Sequence, residues 1–214
     1  RRARFNVAGF YAEYSDQQVN QPVANPTGAG FGQVVVNAGK TQYKGIEADL
    51  FLEPIDGFTL TGSLGYVHRE FKEYPLTQAN GTVINIADQV IAETNTPDLT
   101  ISGAVQYRHY FDNDMFLLTR VGASYEGSHF FFALPQTSTF TRQLESRAYT
   151  LVNAQIRLGD IPLGGDTKAF VQLWGNNIFD KTYETRAVDF GALGYGTFQF
   201  GRPATYGVTA GVSF

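Results

Sequence analysis

Apolar and polar residues alternate along most of this chain, and the alternation is cleanest at its end. In Thr205-Tyr-Gly-Val-Thr-Ala-Gly-Val-Ser-Phe214, one face of a strand carries Tyr206, Val208, Ala210, Val212 and Phe214. The other carries Thr205, Gly207, Thr209, Gly211 and Ser213. One face suits hydrocarbon and the other water, the two-residue period of a membrane-crossing strand. The pattern predicts seven further strands, at residues 3–14, 40–53, 58–71, 98–111, 115–126, 148–158 and 167–176. The first has a mixed pattern. In the second, Ile46, Ala48, Leu50 and Leu52 oppose Glu47, Asp49 and Glu53, around Phe51. Later strands set Leu60 and Leu64 against Thr61 and Ser63, Ile101 and Val105 against Ser102, Gln106 and Arg108, and Ala154 and Ile156 against Gln155 and Arg157. Arg120 and Ser124 fall on the wet face of the strand at 115–126.

The connections alternate in length. Long polar stretches at 15–38, 72–97, 127–147 and 177–203 are interleaved with short turns at 54–57, 112–114 and 159–166, which are rich in Gly, Pro, Asp or Asn. Short turns on one side and long loops on the other, joined by strands of about 10–14 residues, describe an antiparallel up-and-down transmembrane β-barrel. A soluble β-sandwich also alternates, but its strands are nearer 5–6 residues, and it gives no reason for long loops on one side only.

Composition changes this picture little but narrows it. Charged residues make up 17%, and mean hydropathy is −0.18. No run of about 18 apolar residues exists, so no helix crosses a membrane; alternating strands escape such a scan because half of each faces a wet lumen. The absence of Cys suits an oxidising compartment. A net charge of −4 supplies no basic stripe for nucleic acid. The chain opens at Arg1-Arg2-Ala3-Arg4 without Met, which leads us to expect that a leader, or a longer stretch, has been removed in front of it.

Candidate chemistry is sparse. Glu47, Asp49 and Glu53 share a face and read either as an acidic row meeting a cationic solute or plug, or as ordinary polar lining balanced by Arg69, Arg108, Arg120 and Arg157; the lining is preferred. His68, His109 and His129 are isolated and no Cys accompanies them, so no metal site or metal cofactor is expected. His129 precedes Phe130-Phe131-Phe132, an exposed-looking aromatic run suited to stacking on a ligand, to loop-to-loop packing, or to anchoring in the outer leaflet. Aromatics gather again around the glycines at 191–196, with Tyr183, Phe190, Tyr195, Phe198 and Phe200. No catalytic constellation can be singled out, and no enzyme activity is expected.

Three segments and the carboxy terminus resemble one family. Asn37-Ala-Gly-Lys-Thr-Gln-Tyr-Lys-Gly-Ile-Glu-Ala-Asp-Leu50, Asn95-Thr-Pro-Asp98 and Leu173-Trp-Gly-Asn-Asn-Ile-Phe-Asp-Lys-Thr-Tyr183 are similar, in order and spacing, to the carboxy-terminal barrel of TonB-dependent outer-membrane receptors. The terminal Phe214, with Tyr206, Val208 and Val212 before it, resembles the signal read by the barrel-assembly machinery. The resemblance implies residence in the bacterial cell outer membrane, among lipid and lipopolysaccharide. It implies uptake of a scarce small molecule or metal chelate, most commonly a ferric siderophore, driven through TonB. Such barrels have about 22 strands around a plug, so residues 1–214 would be roughly the last third, and TonB would be met through a plug region that this chain lacks. The extracellular loops would bind the ligand, through His129, Phe130, Phe131, Phe132, Arg142, Tyr183 and Tyr195; Glu47, Asp49, Arg108, Arg120 and Arg157 would face the lumen. The alternative is an autonomous eight-stranded barrel acting as an anchor, an adhesin or an outer-membrane hydrolase.

Overall fold

The computed structural model describes residues 2–24, 31–78, 82–91, 93–132, 144–190 and 194–214. In chain order its strands are β1 (Ala3–Ala24), β2 (Phe31–Ile55), β3 (Phe58–Phe71), the short β4 (Pro75–Thr77) and β5 (Val83–Asn85), β6 (Leu99–Tyr110), β7 (Phe116–Glu126), the short β8 (His129–Phe130) and β9 (Glu145–Ser146), β10 (Tyr149–Gly164), β11 (Thr167–Asn176), β12 (Glu184–Phe190), β13 (Tyr195–Phe200) and β14 (Thr205–Ser213). A single 3-10 turn at Ala87–Gln89 is the only helical element among the described residues. None of them forms a helix long and apolar enough to cross a membrane.

Eight strands form one sheet in the order β1-β2-β3-β6-β7-β10-β11-β14, each antiparallel to the next. Their register sorts the side chains into two faces. Leu52, Leu60, Val105, Val121 and Ala154 align across five strands, and Ala48, Leu64, Ile101 and Tyr125 form a neighbouring apolar row. On the opposite face Asp49, Ser63, Ser102 and Ser124 align, as do Gln106, Arg120, Gln155 and Trp174. Among the described residues nothing packs on the apolar face: Phe5 and Val208 are each 67% exposed. The buried apolar residues are few and lie elsewhere, in the loops (Tyr74, Ile86, Phe131, Leu144, Ala187) and on the polar face (Phe116, Leu118).

Several predicted elements hold to the residue. The strands at 58–71 and 167–176 are β3 and β11, and the other sheet strands after β2 begin within a residue or so of expectation. Two expectations are overturned. The stretch 15–38 was expected to be a loop, yet most of it is strand: β1 and β2 stay paired out to Ala24 and Phe31, with Val19 opposite Val36 and Gln21 opposite Val34. Backbone pairing carries this ribbon well past Thr41, where the pairing of β2 with β3 ends. The turn expected at 159–166 shrinks to Gly165 and Asp166, because β10 continues to Gly164. It does so through register shifts on either side of Pro162, and a bulge is where a strand tolerates a residue without an N–H.

The sheet is open. Among the described residues β1 and β14 are its two edges and do not pair with each other, so the strands do not form the self-closing eight-stranded barrel held as the alternative. At the β2–β3 turn, Gly57 has φ +78, and a Cβ there would collide with the carbonyl of Arg108, whose N–H in turn donates to the Gly57 carbonyl at 2.8 Å.

Candidate functional site

The long connections all leave the same side of the sheet, and two local devices aim them. The first is the corner after β11. Asn177 is 5% exposed and takes φ 49, a left-handed conformation that Asn tolerates better than most residues. Its Nδ2 donates to the carbonyls of Lys181 at 2.9 Å and Arg202 at 3.2 Å, and its Oδ1 accepts from the Lys181 N–H at 2.9 Å. Asp180, with φ 51, accepts the Ala204 N–H at 2.8 Å, and the Tyr206 hydroxyl donates to the Ile178 carbonyl at 2.9 Å. The stretch Asn177-Ile-Phe-Asp180 is thus a structural corner that starts and ends the 177–203 loop at one place.

The second device is Arg69 at the end of β3, with its side chain only 6% exposed. Its Nη1 donates to the Thr96 carbonyl at 3.0 Å and to Asp98 Oδ1 at 3.1 Å, its Nη2 to the Pro97 carbonyl at 3.1 Å, and its Nε lies 3.2 Å from Glu93. The Asn-Thr-Pro-Asp segment at 95–98 is therefore held by one guanidinium as the chain turns into β6. Arg69 was expected to be part of a polar lining; it is instead a clamp.

Between these anchors the loops build their own small ribbons, β4–β5, β8–β9 and β12–β13. Tyr74 and Ile86 form the core of the first, against Phe71, Leu76 and Ile84. Phe131, Leu144 and Ala187 form a second core that joins the 127–147 loop to the 177–203 loop. The joint is reinforced by the fully buried Ser146, whose Oγ donates to the Glu184 carbonyl at 3.2 Å. The Asn95 N–H donates to the Phe130 carbonyl at 2.9 Å and ties in the 72–97 loop. The three loops are one interlocked cap.

The expected ligand residues divide within this cap. His129 and Phe131 are buried, with rings 5.3 Å apart, and Phe131 meets Phe198 at 6.3 Å. The expectation of an exposed aromatic run therefore fails at Phe131, which with His129 is used in loop-to-loop packing, one of the readings open for the run. Phe130 and Phe132 are half-buried, the Tyr183 ring lies tilted against Tyr149 at 4.6 Å, and Tyr195 is exposed beside Phe190 at 5.0 Å. Arg142 lies outside the described residues. Beneath the cap, Glu126 accepts the Tyr149 hydroxyl at 2.8 Å; His129 Nδ1 approaches its other oxygen at 3.5 Å without the alignment of a hydrogen bond. Sequence reading passed over Glu126 and Tyr149, whose partnership spans 23 positions and carries no local signature.

On the polar face Glu47 and Asp49 are exposed on β2, and Arg108, Arg120 and Arg157 lie on β6, β7 and β10. The two groups do not balance each other as expected: among the described residues no ion pair joins them, since β3 stands between β2 and β6. Tyr206, Val208, Val212 and Phe214 all lie exposed on the apolar face. No group of three or more His, Asp or Glu suited to a metal ion occurs among the described residues.

This architecture matches known proteins. The ferric yersiniabactin uptake receptor FyuA from Yersinia pestis superposes at a TM-score of 0.70 and 17% identity, over 100% of this chain and 28% of that one. BauA, the ferric preacinetobactin receptor from Acinetobacter baumannii, superposes at 0.62 and 15% identity, over 98% of this chain and 27% of its own. The pyoverdine outer membrane receptor FpvA from Pseudomonas aeruginosa gives 0.62 and 18%, over 99% and 27%. The chain thus spans little more than a quarter of the solved structures it matches. At these identities the likeness speaks for the fold. The model of the TonB dependent receptor-like β-barrel family matches residues 1–178, and with that match over most of its length the chain belongs to this family of receptors, not of enzymes.

Proposed function

We propose that the chain is the carboxy-terminal part, residues 1–214, of the barrel of a bacterial outer-membrane receptor, and that the receptor takes up a ferric siderophore by TonB-dependent transport. The observation that carries the membrane reading is the bare apolar face of the eight-stranded sheet. An exposed apolar surface larger than a few hundred Å² is rare on a soluble protein, and here it covers rows running through every strand of the sheet. Hydrocarbon is the solvent that fits it. The interlocked loops would then lie outside the cell, where Phe130, Phe132, Tyr183 and Tyr195 offer ring faces to a ligand. Phe214 would reach the periplasmic side and serve, with the apolar positions before it, as the assembly signal. TonB would be met through a plug carried by the whole receptor. The siderophore class is supported by the ligands of the matched receptors, ferric yersiniabactin, ferric preacinetobactin and pyoverdine, whose overall fold this chain shares.

The test is uptake by cells that express the full receptor in an otherwise receptor-deficient strain. Accumulation of a radiolabelled ferric siderophore that requires both this protein and TonB is expected. If a panel of ferric chelates gives no accumulation while labelled cobalamin or oligosaccharide is taken up, the ligand class is wrong. Loss of the protein from the outer-membrane fraction would overturn the membrane reading itself.

A further inference from the structure

Beyond the sheet, β1 and β2 stay paired as a two-stranded ribbon, from Gln17 opposite Ala38 to Ala24 opposite Phe31. On the β3 side the last backbone bonds of β2 are those of Lys40. Its N–H donates to the Glu73 carbonyl at 3.2 Å, and its carbonyl accepts the N–H groups of Lys72 at 2.7 Å and Glu73 at 3.1 Å. Past that point, among the described residues, no strand pairs with this edge of β2. Pro22 sets which residues serve the edge. A proline stands within a strand where its missing N–H faces away from the neighbouring strand, so Pro22 and the opposite Gln33 are a pair without bonds to each other. Hydrogen-bonding direction alternates along a strand. Phe31, Gln33, Val35 and Asn37 therefore turn their N–H and C=O groups to the open edge, while Gly32, Val34 and Val36 turn theirs to β1. Natural sheets blunt such edges with Pro, Lys or other charges. The β1 edge has Pro22. The β2 edge has none of these: from Gln17 to Gly39 no residue is charged, and its middle is the strand-favouring Val34-Val-Val36. Val35 is 63% exposed.

We infer that the β2 edge from Phe31 to Asn37 is a docking site for an extended, uncharged polypeptide segment, which adds to the ribbon as a third, antiparallel strand. Each of the outward-turned residues offers one donor and one acceptor, repeated about every 6.6–6.8 Å. A polypeptide backbone is the ligand that carries the same alternation; neither lipid nor sugar does. Charge points the same way, because a charged strand laid on this ribbon would give up hydration with no counter-charge to meet. A second copy fits less well. On the proposed orientation two receptors raise their ribbons in the same direction from one membrane, so two β2 edges could meet only as parallel strands, the less stable ladder. A free segment can run antiparallel. The edge itself is independent of that orientation, and only its accessibility from outside the cell rests on it.

The probe is an acetylated, amidated peptide of four Thr-Val repeats, added to the purified full receptor in detergent, with amide exchange resolved by residue. At a peptide concentration about ten times its Kd, exchange at Gln33, Val35 and Asn37 should slow about tenfold by mass action. The same peptide with every amide N-methylated should protect none of them. Val35→Pro keeps the pairing with β1, as Pro22 does on the facing strand, and should abolish the protection; Val35→Thr alters the exposed side chain alone and should retain it. No protection by the parent peptide, equal protection by its methylated form, or undiminished protection in Val35→Pro would each overturn the docking. Edge amides protected without peptide in concentrated receptor and released on dilution would make a second copy the occupant and overturn the free segment. Equal protection by a peptide with Lys in place of every Thr would overturn the uncharged partner. Binding to the purified receptor but not to cells that display it would support the docking and overturn the orientation given under Proposed function.

Discussion

Replacing Asn177 by Ala should unfasten the loop corner after β11 and little else. The side chain makes three hydrogen bonds, donating to the carbonyls of Lys181 and Arg202 and accepting the Lys181 N–H. At 5% exposure water cannot readily replace them. Each broken bond costs about 0.5–1.5 kcal/mol net, with more where a buried partner is left unsatisfied, so the three together are worth about 3 kcal/mol. Holding Ala at φ 49 adds about 1 kcal/mol that Asn partly avoids and Gly does not incur. The barrel is too large for a global melt to resolve a local change, so the assay is native-state amide exchange of the full receptor in detergent. A loss of about 3–4 kcal/mol of local opening energy should speed exchange at Lys181 and Ala204 by roughly a hundred- to several hundredfold, with β7 and β10 unaffected. Asn177→Gly should be milder than Asn177→Ala by the backbone contribution. Unchanged exchange in both variants would refute the account of the corner as a hydrogen-bonded fastening.

Arg69→Ala should release the segment at 93–98 from β3, at a cost of about 2–3 kcal/mol for a buried group bonded to two carboxylates and two carbonyls; limited proteolysis should cut there first, and uncut loops would refute the clamp. Val105→Lys, on the apolar face in the middle of β6, should cost about 2–4 kcal/mol in the membrane and lower the fraction of receptor that assembles. Ala104→Lys, one residue away on the polar face, should assemble nearly as the parent does; equal yields would overturn the assignment of faces. Phe131→Ala should cost about 3–5 kcal/mol by emptying the core shared by two loops. That loss would be read as faster exchange in β8, β9 and β12 together, and a change confined to β8 would argue against a shared core.

What could be read from the sequence follows from where a residue meets two solvents. In β3 and β11 each side chain faces either the apolar or the polar side, so alternation alone placed both strands to the residue. The ribbon of 15–24 and 31–40 has no third strand of the sheet beside it, and its Gln, Asn and Gly read as loop although its backbone is paired at every rung but Asp16 and Gly39. At Pro162 the residue type argued for a turn, and only the register shifts around it reveal a strand that bulges and continues. The roles of Arg69 and Glu126 were hidden for another reason: their partners lie 23 to 29 positions away and become neighbours only once the loops fold back. For the same reason Phe130, Phe131 and Phe132 looked alike in sequence, and only the arrival of Leu144 and Ala187 distinguishes the middle one.

The hairpin of β1 and β2 has a further consequence for how this protein meets its surroundings. Beyond Thr41 it runs about ten residues up each strand, roughly 33 Å at the rise of an extended chain, a length comparable to the thickness of the hydrocarbon it would stand on. From Gln17 to Gly39 it carries no charged residue. On the proposed orientation it is a mast whose paired strands, out to Ala24 and Phe31, stand clear of the membrane. Each rung is closed by its own pair of residues, so adding or removing a facing pair near the tip changes the height of the mast while leaving the rungs at its foot in step. The most conspicuous portion of this region is therefore also the one that can be remodelled with the least disturbance to the wall below.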